Sequence, residues 1–292
     1  MSVDESLNNY AMGLHKEVMV GGEKENNPSY EIFHAEKDSL YEYYYEYNAN
    51  LNPCSLENIK PHYDATDIRS KLYNLYNRQR RYMQDVWESV AKKDGTLLMC
   101  PICGMKPVRD WDHYIPRSVM PEYSIHLQNL IPTCGECNGQ KHNGWLEKGK
   151  RMFFNAYYDK AVDLKDVLQV NVSIKEDLPA VTIKLRTPVD GEEENVRITI
   201  STIEKLDLIR LYWQEKANEV MRAWVRQFVG RVKVTRQRQN KNCSIADMWD
   251  MEKDVVKECL KNDNSIHWIE RLVDEAILSS ADMEKWCLLL CT

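Results

Sequence analysis

A chain of 292 residues with 43% apolar and 29% charged side chains has an ordinary globular composition, long enough for one large domain or two modest ones. Its longest unbroken apolar run, Trp286 to Cys291, is too short to span a membrane. Met1-Ser2-Val3-Asp4-Glu5 lacks the basic start and apolar stretch of a secretory signal, so a cytoplasmic location with no membrane partner is expected. A net charge of −6 argues against indiscriminate adhesion to polyanions.

In chain order, Gly21 to Pro28 reads as a loop, followed by the acidic, tyrosine-rich run Leu40 to Tyr47, which predicts a packed or partner-facing element. Ile68, Leu72, Leu75, Tyr76, Met83, Val86, Trp87 and Val90 recur at threes and fours, predicting a helix over 66–93 with Thr66 as N-cap and Gly95 as stop. Arg78, Arg80 and Arg81 lie on it, either as a solvated face or as a contact with a nucleic-acid backbone. Alternating residues predict strands at 168–174, 181–185 and 196–200, a small meander. Helical patterns follow at about 203–229, 244–262 and 266–290. No phosphate-cradling glycine loop and no internal repeat is found.

Charge divides this chain unevenly. Residues 1–66 carry −8 and 242–292 carry −6, whereas 67–96, 97–151 and 205–241 carry +3, +2 and +7. The whole-chain value therefore averages acidic ends with basic interior segments. The most basic stretch holds Arg222, Arg226, Arg231, Lys233, Arg236, Arg238 and Lys241, with Trp224 and Phe228 interleaved. It reads as a face that tracks a phosphate backbone or as a solvated helix face. Three regions follow: an acidic, aromatic segment 1–65, a central region 66–151, and a C-terminal region 152–292.

The nine cysteines are an odd number in a chain without a signal, which argues against a disulfide framework. Cys100 and Cys103 form one C-x-x-C knuckle and Cys134 and Cys137 a second. Two knuckles can present four thiolates to one tetrahedral Zn²⁺, stapling the insertion between them. Cys54, Cys243, Cys259, Cys287 and Cys291 have no knuckle partner and read as small buried hydrophobes.

Between and after the knuckles the chain reads Asp110-Trp111-Asp112-His113-Tyr114-Ile115-Pro116-Arg117-Ser118, then Gln128-Asn129-Leu130-Ile131-Pro132-Thr133, then Asn138-Gly139-Gln140-Lys141-His142. A zinc staple needs none of these polar groups; metal-assisted phosphodiester cleavage does. Asp112 offers a hard oxygen ligand, His113 a base that titrates near neutrality, Asn138 a second oxygen ligand, and Lys141 a partner for phosphate.

The pattern D-H-x-I-P-R-S … N-L-I-P-x-C-x-x-C-N-x-x-K over 97–146 closely resembles the HNH endonucleases with a four-cysteine zinc clamp. The resemblance implies an α+β protein: a ββα-metal, treble-clef-like nuclease unit within a mainly α-helical chain that also carries the β meander. It implies His113 as general base, Asp112 and Asn138 as ligands of a catalytic divalent ion, and Asn129 as the residue holding the loop that positions His113. Many members have histidine where this chain has Asn138, so an oxygen-only shell suited to Mg²⁺ or Mn²⁺ is expected. His142, at i, i+4 from Asn138, is the alternative last histidine, and Arg117, Lys141 and His142 are candidate substrate contacts. His126 reads as structural, and Trp111 as core on the opposite strand face from Asp112.

The expected function is hydrolysis of DNA by a metal-dependent endonuclease. DNA rather than RNA rests on the family. The alternative is a zinc-stapled module that binds nucleic acid or a partner without catalysis. Extra domains of this kind resemble bacterial anti-phage defence effectors, some working beside a separate ATPase or sensor subunit. That implies a regulatory protein partner or a homo-oligomer, for which the acidic ends are candidate contacts, or shields over the site.

Overall fold

The computed structural model describes residues 28–51, 55–78, 87, 91–93, 96–238, 244–262 and 267–290. Contacts gather the chain into two compact units, 1–161 with 193–206, and 162–192 with 207–292. This grouping differs from the charge-based segments 1–65, 66–151 and 152–292. Helices from the acidic N-terminal region lie in the same unit as the cysteine knuckles, and the stretch 193–206 returns to it.

In the first unit, helices α1 (Pro28–Ala35) and α2 (Lys37–Ala49) precede α3 (Thr66–Arg78). The tyrosine-rich run lies on α2, where Leu40, Tyr44 and Tyr47, spaced by four and three, are buried while Tyr45 is exposed. Leu40 joins Tyr63, Leu72, Leu75 and Tyr76 in one apolar cluster with Ile125, Leu127 and Leu130 from the segment between the knuckles. Each leucine so buried contributes about 1.5–3 kcal/mol. The helix expected over 66–93 does not run that far. Lys92–Lys93 (β1) pairs antiparallel with Thr96–Leu97 (β2), so the end of the stretch is a hairpin. Arg80, Arg81 and Gly95 lie outside the described residues.

β3 (Asp110–His113) pairs antiparallel with β4 (Leu130–Thr133), with Asp112 opposite Ile131 and His113 opposite Leu130. The chain passes from β4 through Cys134 into the two-turn helix α4 (Gly135–Lys141). A short hairpin follows, β5 (Leu146–Glu147) and β6 (Lys150–Arg151), turning through Lys148 and Gly149 at positive φ.

The third expected strand, 196–200, is instead part of helix α5 (Glu194–Lys205). Its β-branched residues mimic strand alternation, but their hydroxyls are satisfied within a helix. Thr199 Oγ1 donates to Asn195 O at 2.7 Å and Thr202 Oγ1 to Ile198 O at 2.8 Å. Ile198 and Thr202, one turn apart, are buried, and Thr202 Oγ1 also accepts from Phe154 N at 2.8 Å.

In the second unit the meander is therefore a two-stranded hairpin. β7 (Leu168–Lys175) and β8 (Leu178–Leu185) turn through Glu176 and Asp177, both at positive φ. Helix α6 (Gln214–Arg238) covers the free edge of β8. Asn218 Oδ1 accepts from Val181 N at 3.0 Å, Gln214 Oε1 accepts from Ile183 N at 3.1 Å, and Gln214 Nε2 donates to Val181 O at 2.6 Å. Side chains thus occupy a strand edge that would otherwise template pairing with another chain. The helix expected from 203 breaks at Asp207, whose φ is positive, and passes through a π-helical turn, Ile209–Trp213, before α6 begins. Helix α7 (Ile245–Asn262) packs Trp249 against Trp224 and Phe228 of α6. The last expected helix is two, α8 (Trp268–Ser279) and α9 (Ala281–Leu290), with the Ser280 hydroxyl accepting from Met283 N at the start of α9. No helix among the described residues is long and apolar enough to cross a membrane.

Candidate active site

The four knuckle cysteines converge. Their sulfurs all lie within 4.8 Å of one another, and all four residues are buried. Tetrahedral thiolates about 2.3 Å from a zinc ion stand about 3.8 Å apart. Cys103 Sγ and Cys134 Sγ are 3.9 Å apart, so the donor set and its spacing fit Zn²⁺. Cys134 also caps α4, its sulfur accepting from Cys137 N at 3.5 Å. Hydrogen bonding among the four sulfurs lowers the Cys100 and Cys103 thiols and raises those of Cys134 and Cys137. A divalent ion relieves the crowding that four sulfurs impose on one another. Of the other cysteines, Cys287 is buried, as expected; Cys54, Cys243 and Cys291 lie outside the described residues.

Strand alternation turns Asp112 inward and leaves Trp111 partly buried on the other face. There Trp111 packs edge-on to Trp87 at 5.1 Å. Asp112 is only 6% exposed, and its Oδ1 accepts from Lys141 Nζ at 2.9 Å. The same ammonium donates to His113 O at 2.6 Å and stands 5.7 Å from the centre of the Tyr114 ring. Burial raises the Asp112 carboxyl and lowers the Lys141 ammonium, in each case outweighing the attraction between them. The ammonium expected to reach a phosphate is thus enclosed and committed to Asp112. Asn138, three residues before Lys141 on α4, lies on the same helix face and is partly buried. His142 leaves that face: it ends the helix at φ 49 and is exposed.

His113 Nε2 lies 2.9 Å from Ser124 O. A carbonyl only accepts, so Nε2 carries the proton and Nδ1 holds the free lone pair. Burial pushes the His113 pKa down to about 3, so it does not titrate near neutrality, contrary to the expectation from sequence, and the imidazole is neutral at physiological pH. Ser124 is itself pinned, its hydroxyl donating to Leu72 O on α3 at 2.7 Å. The Tyr76 ring stands edge-on to the imidazole at 4.5 Å.

Asn129 ties the connecting loop together and is fully buried. Its Oδ1 accepts from Ile115 N at 2.7 Å, while its Nδ2 donates to Ile115 O at 3.0 Å and Tyr123 O at 3.3 Å. These bonds fix the backbone two residues after His113. Tyr47, reaching in from α2, donates from its hydroxyl to Asn129 Oδ1 at 3.1 Å. Arg117 folds against α3, donating to Asn77 Oδ1 at 2.9 Å, with its guanidinium 4.2 Å from the centre of the Tyr73 ring. His126 is structural, its Nε2 3.0 Å from Asn48 Oδ1 and its ring stacked on Tyr44 at 4.5 Å. Tyr47, Tyr76 and Ser124 were not assigned to the site from sequence: Tyr76 and Tyr47 meet His113 and Asn129 across 37 and 82 residues, and Ser124 acts through its backbone carbonyl, which no side-chain pattern announces.

A β-hairpin leading into a helix, a four-thiol metal site at its base and an Asp-His pair on its strand together define a ββα-metal unit. Residues 100–144 match the HNH endonuclease family, and this segment is an HNH endonuclease domain. The chain is also similar to Protein ea31 of Escherichia phage lambda, at 24% identity over 224 residues, covering 73% of this chain and 72% of that protein. No solved structure matches.

Proposed function

We propose that the protein is a metal-dependent endonuclease that hydrolyses phosphodiester bonds of DNA, with His113 as general base. The observation that carries this reading is the fixed tautomer of His113, whose proton is held on Nε2 by Ser124 O beside the buried carboxylate of Asp112. His113 Nδ1 takes a proton from water, and the oxygen attacks phosphorus in line. The P–O3′ bond breaks and the departing oxygen takes a proton from solvent water, leaving a 5′-phosphate and a 3′-hydroxyl, while His113 returns its proton to solvent. Asp112 and Asn138 supply carboxylate and amide oxygens suited to Mg²⁺ or Mn²⁺, which when bound stabilises charge on the departing oxygen. Asn129 acts through the Ile115 backbone to keep the His113 loop in place. Arg117, held by Tyr73 and Asn77, and the exposed His142 are the substrate contacts on this reading. The four cysteines hold a structural Zn²⁺.

The experiment is plasmid cleavage with and without Mg²⁺ or Mn²⁺, comparing the parent with His113→Ala. The parent cuts only with added metal, and the variant loses at least a hundredfold in rate; equal cutting by both refutes the mechanism. A defence role belongs to the same reading: the parent, and not His113→Ala, then limits phage growth when expressed in a host. One observation favours a second reading, a zinc-stapled binding module without catalysis. Asp112, the carboxylate meant for the divalent ion, already has a cation in Lys141. Under that reading the protein binds DNA but neither cuts it nor takes up a second metal.

A further inference from the structure

The second unit carries a row of cations that its own fold does not use. On α6, Ala217, Met221, Trp224, Phe228 and Val232 are buried and set the inward face. At about 100° per residue, Arg222, Arg226 and Lys233 fall within a sector of about 40° on the outward side, spread over about 16 Å of helix. All three are exposed. None has a carboxylate at ion-pair distance among the described residues, whereas other basic groups of this unit do. Lys165 holds Asp163, Arg186 holds Glu192, Arg210 holds Asp207, Lys216 holds Glu219, and Arg231 holds Glu252.

Local sequence explains why the row stays unpaired. Arg226 and Lys233 have no Asp or Glu three or four residues away, and the one such neighbour of Arg222, Glu219, is taken by Lys216. Arg222 and Arg226 are like charges at i, i+4, an arrangement that costs a helix a few tenths of a kcal/mol. The helix dipole does not account for them, since both lie three or more turns before the C-terminal end of α6. Beside the row sits Gly230, and a Cβ placed there would meet nothing within 4 Å. A mid-helix glycine costs about 0.5–1 kcal/mol relative to alanine, and packing does not demand this one. Three uncompensated cations and a bare stretch of helix backbone therefore lie side by side on one outward surface.

We infer that this face of α6 is a second nucleic-acid contact, with Arg222, Arg226 and Lys233 binding successive phosphates of duplex DNA. The choice of polyanion rests on the nuclease reading above. The row spans about five base-pair rises, and it is a backbone contact that carries no sequence information. It would let a chain of net charge −6 hold DNA, because these three cations share one face with no carboxylate at ion-pair distance among the described residues.

The test uses full-length, zinc-loaded protein carrying His113→Ala, so that DNA is bound without being cut, and a fluorescent duplex titrated by anisotropy from low to moderate salt. Arg222→Gln, Arg226→Gln and Lys233→Gln are combined. They should shallow the slope of log affinity against log salt by about 2.7 and weaken binding at 0.1 M salt by up to about 10²-fold. The comparison variant removes three paired cations, Lys165→Gln, Arg210→Gln and Lys257→Gln (paired with Asp254), with the same change in net charge, and should move the slope by less than about 1. Both variants alter exposed or half-exposed positions, and circular dichroism checks that each remains folded. The inference is overturned if the row variant leaves slope and affinity unchanged, as it would if the row met an acidic protein instead. It is also overturned if the two variants lose equally, because net charge alone would then explain the effect. Plasmid cleavage by the His113 parent is scored separately. Binding that depends on the row without cleavage sinks the nuclease reading and leaves this one standing.

Discussion

Replacing Lys141 with methionine keeps the apolar stem and removes only the ammonium. In its place Asp112 keeps a carboxylate that is 6% exposed and has lost its 2.9 Å partner, and His113 O loses a 2.6 Å donor. Breaking a buried pair from one side costs about 3–5 kcal/mol, because the remaining charge is desolvated without compensation. The pair is not a stabilising device in itself: burial raises the Asp112 carboxyl and lowers the Lys141 ammonium despite their contact. Removing both charges, with Asp112→Asn and Lys141→Met together, should therefore cost less than the sum of the single changes. Urea unfolding of zinc-loaded protein in buffer free of Mg²⁺ and Mn²⁺ measures all three variants. Either ion at a hundredfold excess over its dissociation constant for Lys141→Met should stabilise that variant by about 2.7 kcal/mol, and the parent by less. Stability of Lys141→Met within about 0.5 kcal/mol of the parent before any metal is added would refute the reasoning. So would purely additive single and double changes.

Asn129→Ala removes four hydrogen bonds from a fully buried position and should cost about 3–4 kcal/mol, with cleavage lost in kcat rather than KM. Tyr47→Phe removes one of those bonds, costs about 1 kcal/mol, and should couple to Asn129→Ala in a double-mutant cycle. Asp274 on α8 has its pKa raised to about 6, first by burial and then by Glu270, Glu252 and Glu275. Its ionisation therefore opposes folding above about pH 6 and not below about pH 4, so stability falls as pH rises between them. Asp274→Asn should raise stability at pH 7.5 by about 1–2 kcal/mol, after discounting for partial exposure, and the gain should shrink to about a third of that at pH 4.5 and close below about pH 3.5 in matched melting curves. Cys134→Ser should lower the zinc content below one ion per chain and unfold the first unit before the second, read by metal analysis and by proteolysis of the 100–144 segment.

What the sequence made legible was chemistry held at short spacing. Two C-x-x-C knuckles imply one four-sulfur site whatever path lies between them, and Trp111 and Asp112 are placed on opposite strand faces by alternation alone. Less legible was what depends on the tertiary environment. Val196 to Ile200 alternates like a strand, but the Thr199 hydroxyl, like that of Thr202 beyond it, closes onto the helix backbone, and Ile198 and Ile200 are buried in α5. Lys141 follows Asn138 by one turn of α4, and the spacing suggested a phosphate partner. Its burial could not be read, because that is set by Tyr114 and by the closing of β3 over α4. The tautomer of His113 depends on a carbonyl eleven residues on and on the hydroxyl that anchors it to α3.

The contact between Tyr47 and Asn129 changes the standing of the acidic N-terminal region. From charge alone it was a candidate shield over the site or a partner surface. Instead α2 sends Leu40 into the cluster that backs the loop and Tyr47 to the amide that holds it. Deleting residues 1–50 would therefore remove part of the domain's own support, and a fall in cleavage after that deletion would say nothing about shielding. Tyr47→Phe separates the two roles. It leaves the charge of the segment intact while loosening Asn129, so lower kcat with unchanged DNA affinity marks support. The family match ends at residue 100 on its N-terminal side, yet the groups that fix its geometry begin at least 53 residues earlier. A 45-residue segment this small has too little core to hold His113 by itself. The helices around it supply that rigidity.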